Sequence, residues 1–552
     1  MSRKILTAAV GNCVHVAGIQ RFLRLAQSQG YETHFLGPAV SIDALIEGIE
    51  RYDPEVVGLS YRLTPEVAEG LINDFIKKLD EKDLKGRTFL FSGPPPVAEV
   101  AQASGIFERV FSGAERTEEV VAFLRGEKGE GIRREYAGTL IERLQESAPT
   151  PLLRHHFGLP SLRQTVEGVK TLALSRQCDV VSIGPDQNAQ ASFFRPEEMD
   201  PGQDGAGGVP VRRPEDLRRI YEASRCGNYP LLRCYAGTRD LIQWGMMLKE
   251  TIHIAWGAVP LCWYNRLDGR SNRPLRKAIE ENQQAMAWYA AQNIPVEVNE
   301  AHHWSIREAS DTVGVTMAFL AAYNAKRLGV THYVSQYMFN TPPATSPIMD
   351  LAKMAAKIEL IEGLHDEAFT TYRQVRSGLM SFSPDPDVAK GQLAASVQVA
   401  MALRPHILHV VGFCEGDHAA RPQEIVESCK IVRGVLQNWS LGPPEMLNNH
   451  AVEKRKRELM AESRVLLDAI RALAPEEVAD PWTDAATLTR AIETGLIDAP
   501  HLEGNPWARG EMVTAMIDGA CRVVDPQTGQ PEKEEDRTER ILRLHGYTHR
   551  KS

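Results

Sequence analysis

The 552-residue sequence contains no hydrophobic run long enough to span a membrane, and no apolar leader follows its first residues. We therefore expect a cytoplasmic protein with no membrane partner. Its eight cysteines form no CxxC pair, which argues against zinc-ribbon, iron–sulfur and disulfide-framework classes. It also lacks an excess of positive charge: the formal net charge of −9 argues against a nucleic-acid partner.

The first 126 residues predict a small α/β domain. A chain with 43% hydrophobic residues can bury cores for two to four domains. In this part, short apolar runs alternate with amphipathic helical stretches. The predicted strands are residues 5–10, 33–36, 56–60, 88–91 and 109–111. Five strands that alternate with helices predict a flavodoxin-like, doubly wound parallel sheet.

The loops after four of these strands predict a ligand-binding rim, because ligands of such sheets bind beyond the carboxyl ends of the strands. A neutral imidazole suits a transition metal, and glycine lets the backbone approach a bulky ligand. The rim residues are His15, Gly18, Ser60, Leu63, Gly93 and Gly113. Taken alone, the loop favours a hydrogen-bonded histidine at a helix start; the four loops together favour His15 as a metal ligand.

The rim resembles that of cobalamin-binding domains. His15 and Gly18 match the His-x-x-Gly core of the family's Asp-x-His-x-x-Gly signature, and residues 60–63 and Gly93 stand where the family has its Ser-x-Leu and Gly-Gly elements. The resemblance implies that His15 ligates cobalt from below, while the serine and glycine elements line a slot for the nucleotide tail. Cys13 replaces the aspartate that orients the histidine, and the serine element is one residue longer.

A second βα pattern occupies residues 151–444, after a charged, glycine-containing segment at 127–150 that predicts a linker. Its candidate strands are residues 180–183, 231–235, 252–256, 296–298, 333–336, 379–382 and 407–411, with an eighth near 152–155. This pattern predicts a TIM-like (β/α)8 barrel. Residues 445–552 predict a C-terminal helical or α+β extension that packs on the barrel or forms a homodimer.

The chemistry of such a barrel gathers at the carboxyl ends of its strands. The candidate catalytic residues there are Glu300, His302, His303, Glu415, Asp417 and His418, and the candidate substrate contacts are Arg239, Tyr264, Asn265 and Gln336. The two adjacent histidines could instead bind a metal, although no third ligand has a suitable spacing. Glu415 and Asp417 could instead cap the following helix.

The segments of this second pattern resemble the catalytic chain of glutamate mutase, also called methylaspartate mutase. The matching parts are a Gly-Thr-x-Asp turn at 237–240, a Tyr-Asn pair at 264–265, an Asn-x-Glu-like turn at 298–300 and a late stretch at 384–422. With the cobalamin signature, the resemblance covers about residues 4–440.

This resemblance implies an adenosylcobalamin-dependent isomerase, a mutase that performs a radical 1,2-rearrangement of a small-molecule substrate. It also implies that the reactive face of the cobalamin looks into the barrel, where Asp417 could bind the adenosyl ribose. Glutamate mutase grips two carboxylates with an arginine cluster, whereas only Arg233 and Arg239 stand near the matching strand ends. Because a buried dicarboxylate needs paired cations, we expect a small polar substrate less anionic than glutamate.

Two other functions fit a cobalamin domain. A corrinoid-dependent methyltransferase usually has a helical cap ahead of the cobalamin module, for which the residues before the first strand leave no room. A cobalamin-binding sensor or carrier usually has a helix-turn-helix or small bundle as its companion, whereas this chain is expected to have a barrel. A cobalamin-dependent radical enzyme of the S-adenosylmethionine class would need a CxxxCxxC motif, which the sequence does not contain.

Overall fold

The structure, a computed structural model, describes residues 3–113, 115, 117–126, 136–235, 237–377, 382–440 and 442–547. The chain divides into two compact units, Met1–Glu135 and Tyr136–Ser552. Among the described residues, no helix has the length and apolar character needed to cross a lipid bilayer.

The first unit is a five-stranded parallel sheet with the strand order β2-β1-β3-β4-β5. The strands are β1 (Lys4–Ala9), β2 (Glu32–Phe35), β3 (Val56–Ser60), β4 (Thr88–Ser92) and β5 (Arg109–Phe111). The helices are α1 (Ala17–Ser28), α2 (Ile42–Tyr52), α3 (Pro65–Glu81), α4 (Pro95–Ala103) and α5 (Thr117–Leu124). This order is the flavodoxin-like one, so the predicted fold of this part is confirmed.

The local sequence accounts for these elements. All five residues of β3 are buried, as expected for a central strand covered by helices on both faces. Helix α2 begins where the Ser41 hydroxyl accepts a hydrogen bond from the Ala44 N–H (3.1 Å), and it buries one apolar face. It ends at Asp53, which adopts a left-handed conformation with φ of 48°.

The second unit is built on a near-closed barrel of eight parallel strands, as predicted. The strands are β6 (Leu152–Phe157), β7 (Val180–Ile183), β8 (Leu231–Cys234), β9 (Gly257–Val259), β10 (Val296–Val298), β11 (His332–Phe339), β12 (Thr370–Ser377) and β13 (Ile407–His409). They pair in the order β8-β7-β6-β13-β12-β11-β10-β9. At the seam between β8 and β9, the Ala255 N–H donates a hydrogen bond to the Leu232 carbonyl (2.8 Å).

Helices surround this barrel. They are α6 (Leu140–Ser147), α7 (Leu162–Ser175), α8 (Gln187–Ser192), α9 (Pro214–Ser224), α10 (Leu241–Ile252), α11 (Leu275–Ala291), α12 (Ala301–Ser305), α13 (Asp311–Arg327), α14 (Pro347–Glu362), α15 (Pro386–Ala400) and α16 (Pro422–Trp439). Helix α6 lies in the segment that the sequence assigns to a linker; residues 127–135 of that segment lie outside the described residues.

Two barrel strands differ from the prediction. The run at 252–256 is not a strand, because helix α10 ends at Ile252 and β9 starts only at Gly257. The strand predicted at 379–382 is replaced by β12, which ends at Ser377; residues 378–381 lie outside the described residues. Strand β12 escapes a search for apolar runs because most of its side chains are polar.

The C-terminal extension packs on the barrel. It comprises α17 (His450–Ala472), α18 (Ala485–Glu493), the antiparallel hairpin β14 (Thr514–Ile517) and β15 (Ala520–Val523), and α19 (Glu534–Leu544). The hairpin joins loops that follow barrel strands: the Gly519 carbonyl accepts from the Ser346 N–H (2.9 Å), and the Cys521 N–H donates to the Asp311 carboxylate (3.1 Å). The predicted homodimer stays a prediction.

Candidate cofactor and substrate sites

His15 lies exposed in the loop between β1 and α1. Its Nδ1 atom is 3.8 Å from the Sγ atom of Cys13, which is fully buried. A thiol is a weak hydrogen-bonding group, so Cys13 orients the imidazole without adding the negative charge of a carboxylate. This arrangement leaves Nε2 as the ring atom that can ligate a metal.

A cavity of about 140 Å³ lies between the sheet and helix α1 of the first unit. Its lining is mainly apolar and includes Gly18, Phe22, Leu25, Gly58, Leu59, Leu90, Phe111 and Gly113. Gly18 has open space where a Cβ atom would stand. Two of the predicted glycines, Gly18 and Gly113, therefore belong to one cavity, whereas Gly58 and Leu59 were missed because they lie inside a predicted strand.

The other glycine of the rim, Gly93, is required for close packing. A Cβ atom there would lie 2.7 Å from the Tyr61 carbonyl oxygen and 2.9 Å from Val97. In the neighbouring loop, Gly113 has a φ of 89°, and the N–H groups of Ser112 and Gly113 donate to the Glu115 carboxylate. Burial opposes ionisation of Glu115, but these hydrogen bonds hold its pKa below the usual value.

Apolar side chains stand exposed at the same edge of the sheet as His15. Val14 (63% exposed) and Leu63 (40%) lie in the loops after the adjacent strands β1 and β3, and Val67 (47%) lies in the first turn of α3. Exposed apolar groups that cluster at a sheet edge mark a surface for an apolar ligand. Ser60 is buried at the end of β3, and its carbonyl accepts from the Val10 N–H (3.0 Å).

Residues 3–122 match the family model of the B12 binding domain. The first unit is a B12-binding domain. Its residues fit cobalamin: an accessible imidazole suits cobalt, the apolar rim suits the corrin ring, and the cavity beside Gly18 suits the nucleotide tail. The family match does not extend into the second unit.

Solved structures offer two further comparisons. A novel cobalamin-binding protein from Desulfitobacterium hafniense DCB-2 is similar at 24% identity and a TM-score of 0.20; the match covers 23% of this chain and 59% of that one. The cobalamin-dependent S-adenosylmethionine radical enzyme OxsB is similar at 8% identity and a TM-score of 0.19, over 90% of this chain and 71% of that one. No curated protein matches the sequence.

The cavity of the B12-binding domain can be tested with Gly18→Phe. The new ring fills space that the nucleotide tail would occupy, and losing about 1.4 kcal/mol of contact already lowers affinity tenfold. We expect at least that loss in a cobalamin titration followed by absorbance. Folding stability should not fall, because phenylalanine favours a helix more than glycine does.

Gly70→Phe is the matched control for this variant. Gly70 also lies in a helix with open space around its Cβ position, but it does not line the cavity. Equal cobalamin affinity of the two variants would contradict the assignment of the cavity.

The second unit has a cavity of about 240 Å³ at the carboxyl ends of the barrel strands. Four predicted residues line it: Tyr264, His302, His303 and Gln336. The other lining residues are Arg154, His156, Gln187, Gln190, Tyr235, Arg270, Glu297, Asn299, Arg376 and His409. The structure thus brings together charged and aromatic groups from most of the strands.

A buried ion network forms one wall of this cavity. Glu297, which is fully buried, lies 2.9 Å from the Arg233 guanidinium and 3.5 Å from that of Arg154. Burial alone would raise the pKa of Glu297, but the two arginines hold it below the usual value. Burial and the like charge of Arg233 lower the pKa of Arg154 to about 9.

Positive charge exceeds negative charge in this region. Arg376 also lines the cavity, and among the described residues no carboxylate lies within ion-pair distance of it. Two nitrogen atoms of Arg233, Nε and Nη1, are buried and have no hydrogen-bond partner among the residues that the structure describes. Arg154, Arg233 and Arg376 therefore outnumber the carboxylates of Glu297 and Glu415 near them, an arrangement suited to an anionic ligand.

The sequence analysis assumed that only Arg233 and Arg239 lie near the strand ends of the barrel, and this assumption is wrong. Arg154 and Arg376 line the cavity, and Arg233 stands directly behind it. Arg239 turns away, because its guanidinium pairs with Glu198 and donates to the Ala191 carbonyl (2.6 Å). Arg376 was missed because its strand was placed too late in the sequence.

Histidines and a tyrosine line the cavity next to the arginines. The Tyr235 hydroxyl lies 2.6 Å from His156 Nε2, and the His156 ring contacts that of His409. Burial and Arg154 lower the pKa of His156 well below its usual value, so its ring is neutral and accepts the tyrosine hydrogen.

Several imidazole nitrogens of the cavity are buried without a partner among the described residues. They are His156 Nδ1, His302 Nδ1, both ring nitrogens of His303, and His409 Nδ1. Buried polar atoms are normally hydrogen-bonded, so these nitrogens are suited to bind a polar ligand. Burial lowers the pKa of His302 to about 3, which keeps this ring neutral.

Tyr264 reaches the cavity from a strained loop. Its φ of 67° lies in the left-handed region, which non-glycine residues seldom adopt. The loop is held by Asp268, which accepts from the N–H groups of Tyr264 (3.2 Å) and Asn265 (3.0 Å). Gln336 donates to Asn299 (2.8 Å) and to Glu297.

Two other predicted residues do not line the cavity. Glu300 is fully buried and accepts from the N–H groups of Leu261 (3.0 Å) and Cys262 (2.9 Å), and burial raises its pKa to about 7. The Asn265 amide donates to the Cys262 carbonyl (2.9 Å). Both side chains hold the loop after β9, so their contacts are structural; their predicted roles toward substrate remain predictions.

The predicted cluster after β13 also lies outside the cavity lining. Glu415 accepts from the Gly412 N–H (2.7 Å) and lies 3.1 Å from His155 Nε2, so it caps a short 3-10 helix. Asp417 is 62% exposed and lies 2.8 Å from His418 Nδ1. Glu415 thus caps the short helix that contains it and not the following helix α16, where Glu424 has that role. The predicted roles of Asp417 and His418 remain predictions.

Most of the missed cavity residues share a pattern that the sequence does contain. Six of them belong to polar pairs two positions apart on one strand and its continuation: Arg154 with His156, Glu297 with Asn299, Tyr235 with Arg233, and Arg376 with Gln374, where Arg233 and Gln374 themselves lie outside the lining. Alternate residues of a barrel strand point inward, so such pairs share one face. A charged residue inside an otherwise apolar strand was therefore the sequence signal that could have identified these cavity residues.

Proposed function

We propose that the chain is an adenosylcobalamin-dependent mutase that rearranges a small polar substrate bearing a carboxylate. The observation that carries this proposal is the positively charged cavity at the carboxyl ends of the barrel strands, in the same chain as a B12-binding domain. Adenosylcobalamin, when bound, supplies the radical that removes and returns a substrate hydrogen.

The arginines support an anionic substrate. Arg376 lines the cavity, and no carboxylate of the described residues lies within ion-pair distance of it. A guanidinium can bind a carboxylate with two parallel hydrogen bonds. Binding there would also balance the excess charge around Glu297. The reason for expecting a substrate less anionic than glutamate has therefore been removed.

The remaining side chains fit the handling of a polar substrate rather than strong acid–base catalysis. The neutral imidazoles of His302 and His303 can exchange hydrogen bonds with substrate, and the Tyr235 hydroxyl is held by His156. The ring of Tyr264 closes the cavity beside His303, at a centroid distance of 5.6 Å. Enclosure of this kind excludes water from a reactive species.

The reaction class can be tested by product analysis. The protein would be incubated with adenosylcobalamin and, in turn, with glutamate, aspartate and their 3-methyl derivatives, and isomers would be sought by proton NMR. Formation of an isomer that requires adenosylcobalamin supports the proposal. Turnover with methylcobalamin and transfer of its methyl group would instead indicate a methyltransferase.

The cobalt ligand can be tested with His15→Ala. We expect wild-type protein to bind cobalamin in a base-off form, and we expect the variant to bind about tenfold more weakly or worse, since a metal–ligand bond is lost. Absorption spectra during a cobalamin titration measure both effects. His34→Ala, which removes a half-buried histidine of β2, is the matched control, and unchanged binding by His15→Ala would reject this ligand.

A further inference from the structure

A cluster of three potential metal ligands follows the last barrel strand, β13, outside both cavities. Cys414 lies in the short 3-10 helix Phe413–Gly416, His418 follows this helix, and Glu424 lies in the first turn of α16. One ligand atom from each residue lies within 4.8 Å of the other two. We propose that these three side chains bind a divalent metal ion, for which zinc is the best match.

The types of ligand atom in the cluster favour zinc over other divalent metals. A thiolate, an imidazole and a carboxylate are the three protein donor types that zinc takes in tetrahedral sites, whereas magnesium and calcium prefer oxygen donors alone. In a tetrahedral zinc site, nitrogen and oxygen ligands stand about 3.4 Å apart and sulfur stands about 3.6 Å from either. His418 Nε2 and Glu424 Oε1 are 2.9 Å apart, so small side-chain movements produce that geometry.

The surroundings of the cluster match those of metal ligands. The Nδ1 atom of His418 lies 2.8 Å from the Asp417 carboxylate, which leaves Nε2 facing the other donors. Metal-binding histidines commonly have such a carboxylate on their second nitrogen. The second carboxylate oxygen of Glu424 accepts from the Arg421 N–H (2.8 Å), so this ligand is also fixed.

One ligand of the cluster is buried and the other two are partly exposed, so an ion can enter from solvent. Cys414 is 4% exposed, whereas the side chains of Glu424 and His418 are 23% and 40% exposed. Three protein donors leave a fourth position for water. A metal here would tie the loop after β13 to the start of α16, and it would fix the neighbouring Glu415; this inference does not depend on the proposed reaction.

The test uses the full-length, cobalamin-free chain after treatment with a chelator. Zinc is titrated against a chromophoric chelator, and cobalt(II) is then used as a spectroscopic probe. We expect one zinc ion per chain and a thiolate-to-cobalt charge-transfer band. Cys414→Ser and His418→Ala should each weaken zinc binding more than 100-fold, and Asp417→Asn about 10- to 100-fold.

Cys226→Ser is the matched control, because Cys226 is a partly accessible cysteine outside the cluster. It should retain both zinc and the charge-transfer band. His418→Ala changes a partly exposed side chain, so it keeps the test decisive if replacing the buried Cys414 harms folding. Absence of zinc binding, or equal zinc affinity in His418→Ala and wild type, would overturn the proposal and leave His418 as a bridge between Asp417 and Glu424.

Discussion

Replacing Glu297 by glutamine is expected to destabilise the barrel by about 3–5 kcal/mol, because it removes the carboxylate that balances the buried Arg154 and Arg233. Glutamine has nearly the same shape, so the loss reflects charge rather than packing. The free energy of unfolding, measured by urea denaturation, gives the size of the effect. The cobalamin affinity of the B12-binding domain should not change.

Two further variants show whether the loss of stability in Glu297→Gln comes from the buried charges. Glu359→Gln removes a mostly exposed partner of Lys456, and it should cost less than about 1 kcal/mol. Adding Arg233→Met to Glu297→Gln should recover part of the lost stability, since one of the unbalanced charges is then gone. If Glu297→Gln were no more destabilising than Glu359→Gln, the buried network would not stabilise the barrel.

Replacing Arg376 by methionine is expected to lower kcat/KM about 30-fold or more, because loss of one partner of a buried charge pair costs about 2–5 kcal/mol. The substrate carboxylate would lose its cation in a site that is shielded from water. Kinetics on the substrate found by the isomer screen measure the effect, and a cobalamin titration should give the wild-type affinity. Methionine keeps the length and apolar character of the arginine stem.

Arg270→Met is the comparison for this prediction. Arg270 also lines the cavity, but its side chain is 42% exposed and lies over the Tyr264 ring, 4.6 Å from its centroid. Because water screens an exposed charge, its loss should matter much less. Equal effects of the two substitutions would show that Arg376 provides only general positive charge.

The B12-binding domain illustrates how much a sequence can predict. Its strands are short apolar runs separated by helices, so both the fold and the position of His15 follow from local patterns. The lining of its cavity was predicted only in part, because Gly58 and Leu59 belong to a strand and are distinguished by packing alone. Packing between elements has no local signature in a single sequence.

The barrel shows where sequence analysis fails and why. Strands β7 and β10 were placed correctly because they are short and well separated, but β12 was missed because most of its side chains are polar. One of these polar residues, Arg376, lines the cavity. Conversely, Glu300 was a reasonable catalytic candidate by residue type, and only its hydrogen bonds to Leu261 and Cys262 reveal a structural position.

The hairpin formed by β14 and β15 defines how far the barrel can be shortened. It supplies a carbonyl to Ser346 and an N–H to Asp311, and Asp311 in turn lies 3.0 Å from the ammonium group of the fully buried Lys353. A chain cut after the eighth strand would leave these polar groups unsatisfied beside the segments that follow β10 and β11. We therefore expect the smallest autonomous form of the second unit to extend to its C-terminal hairpin.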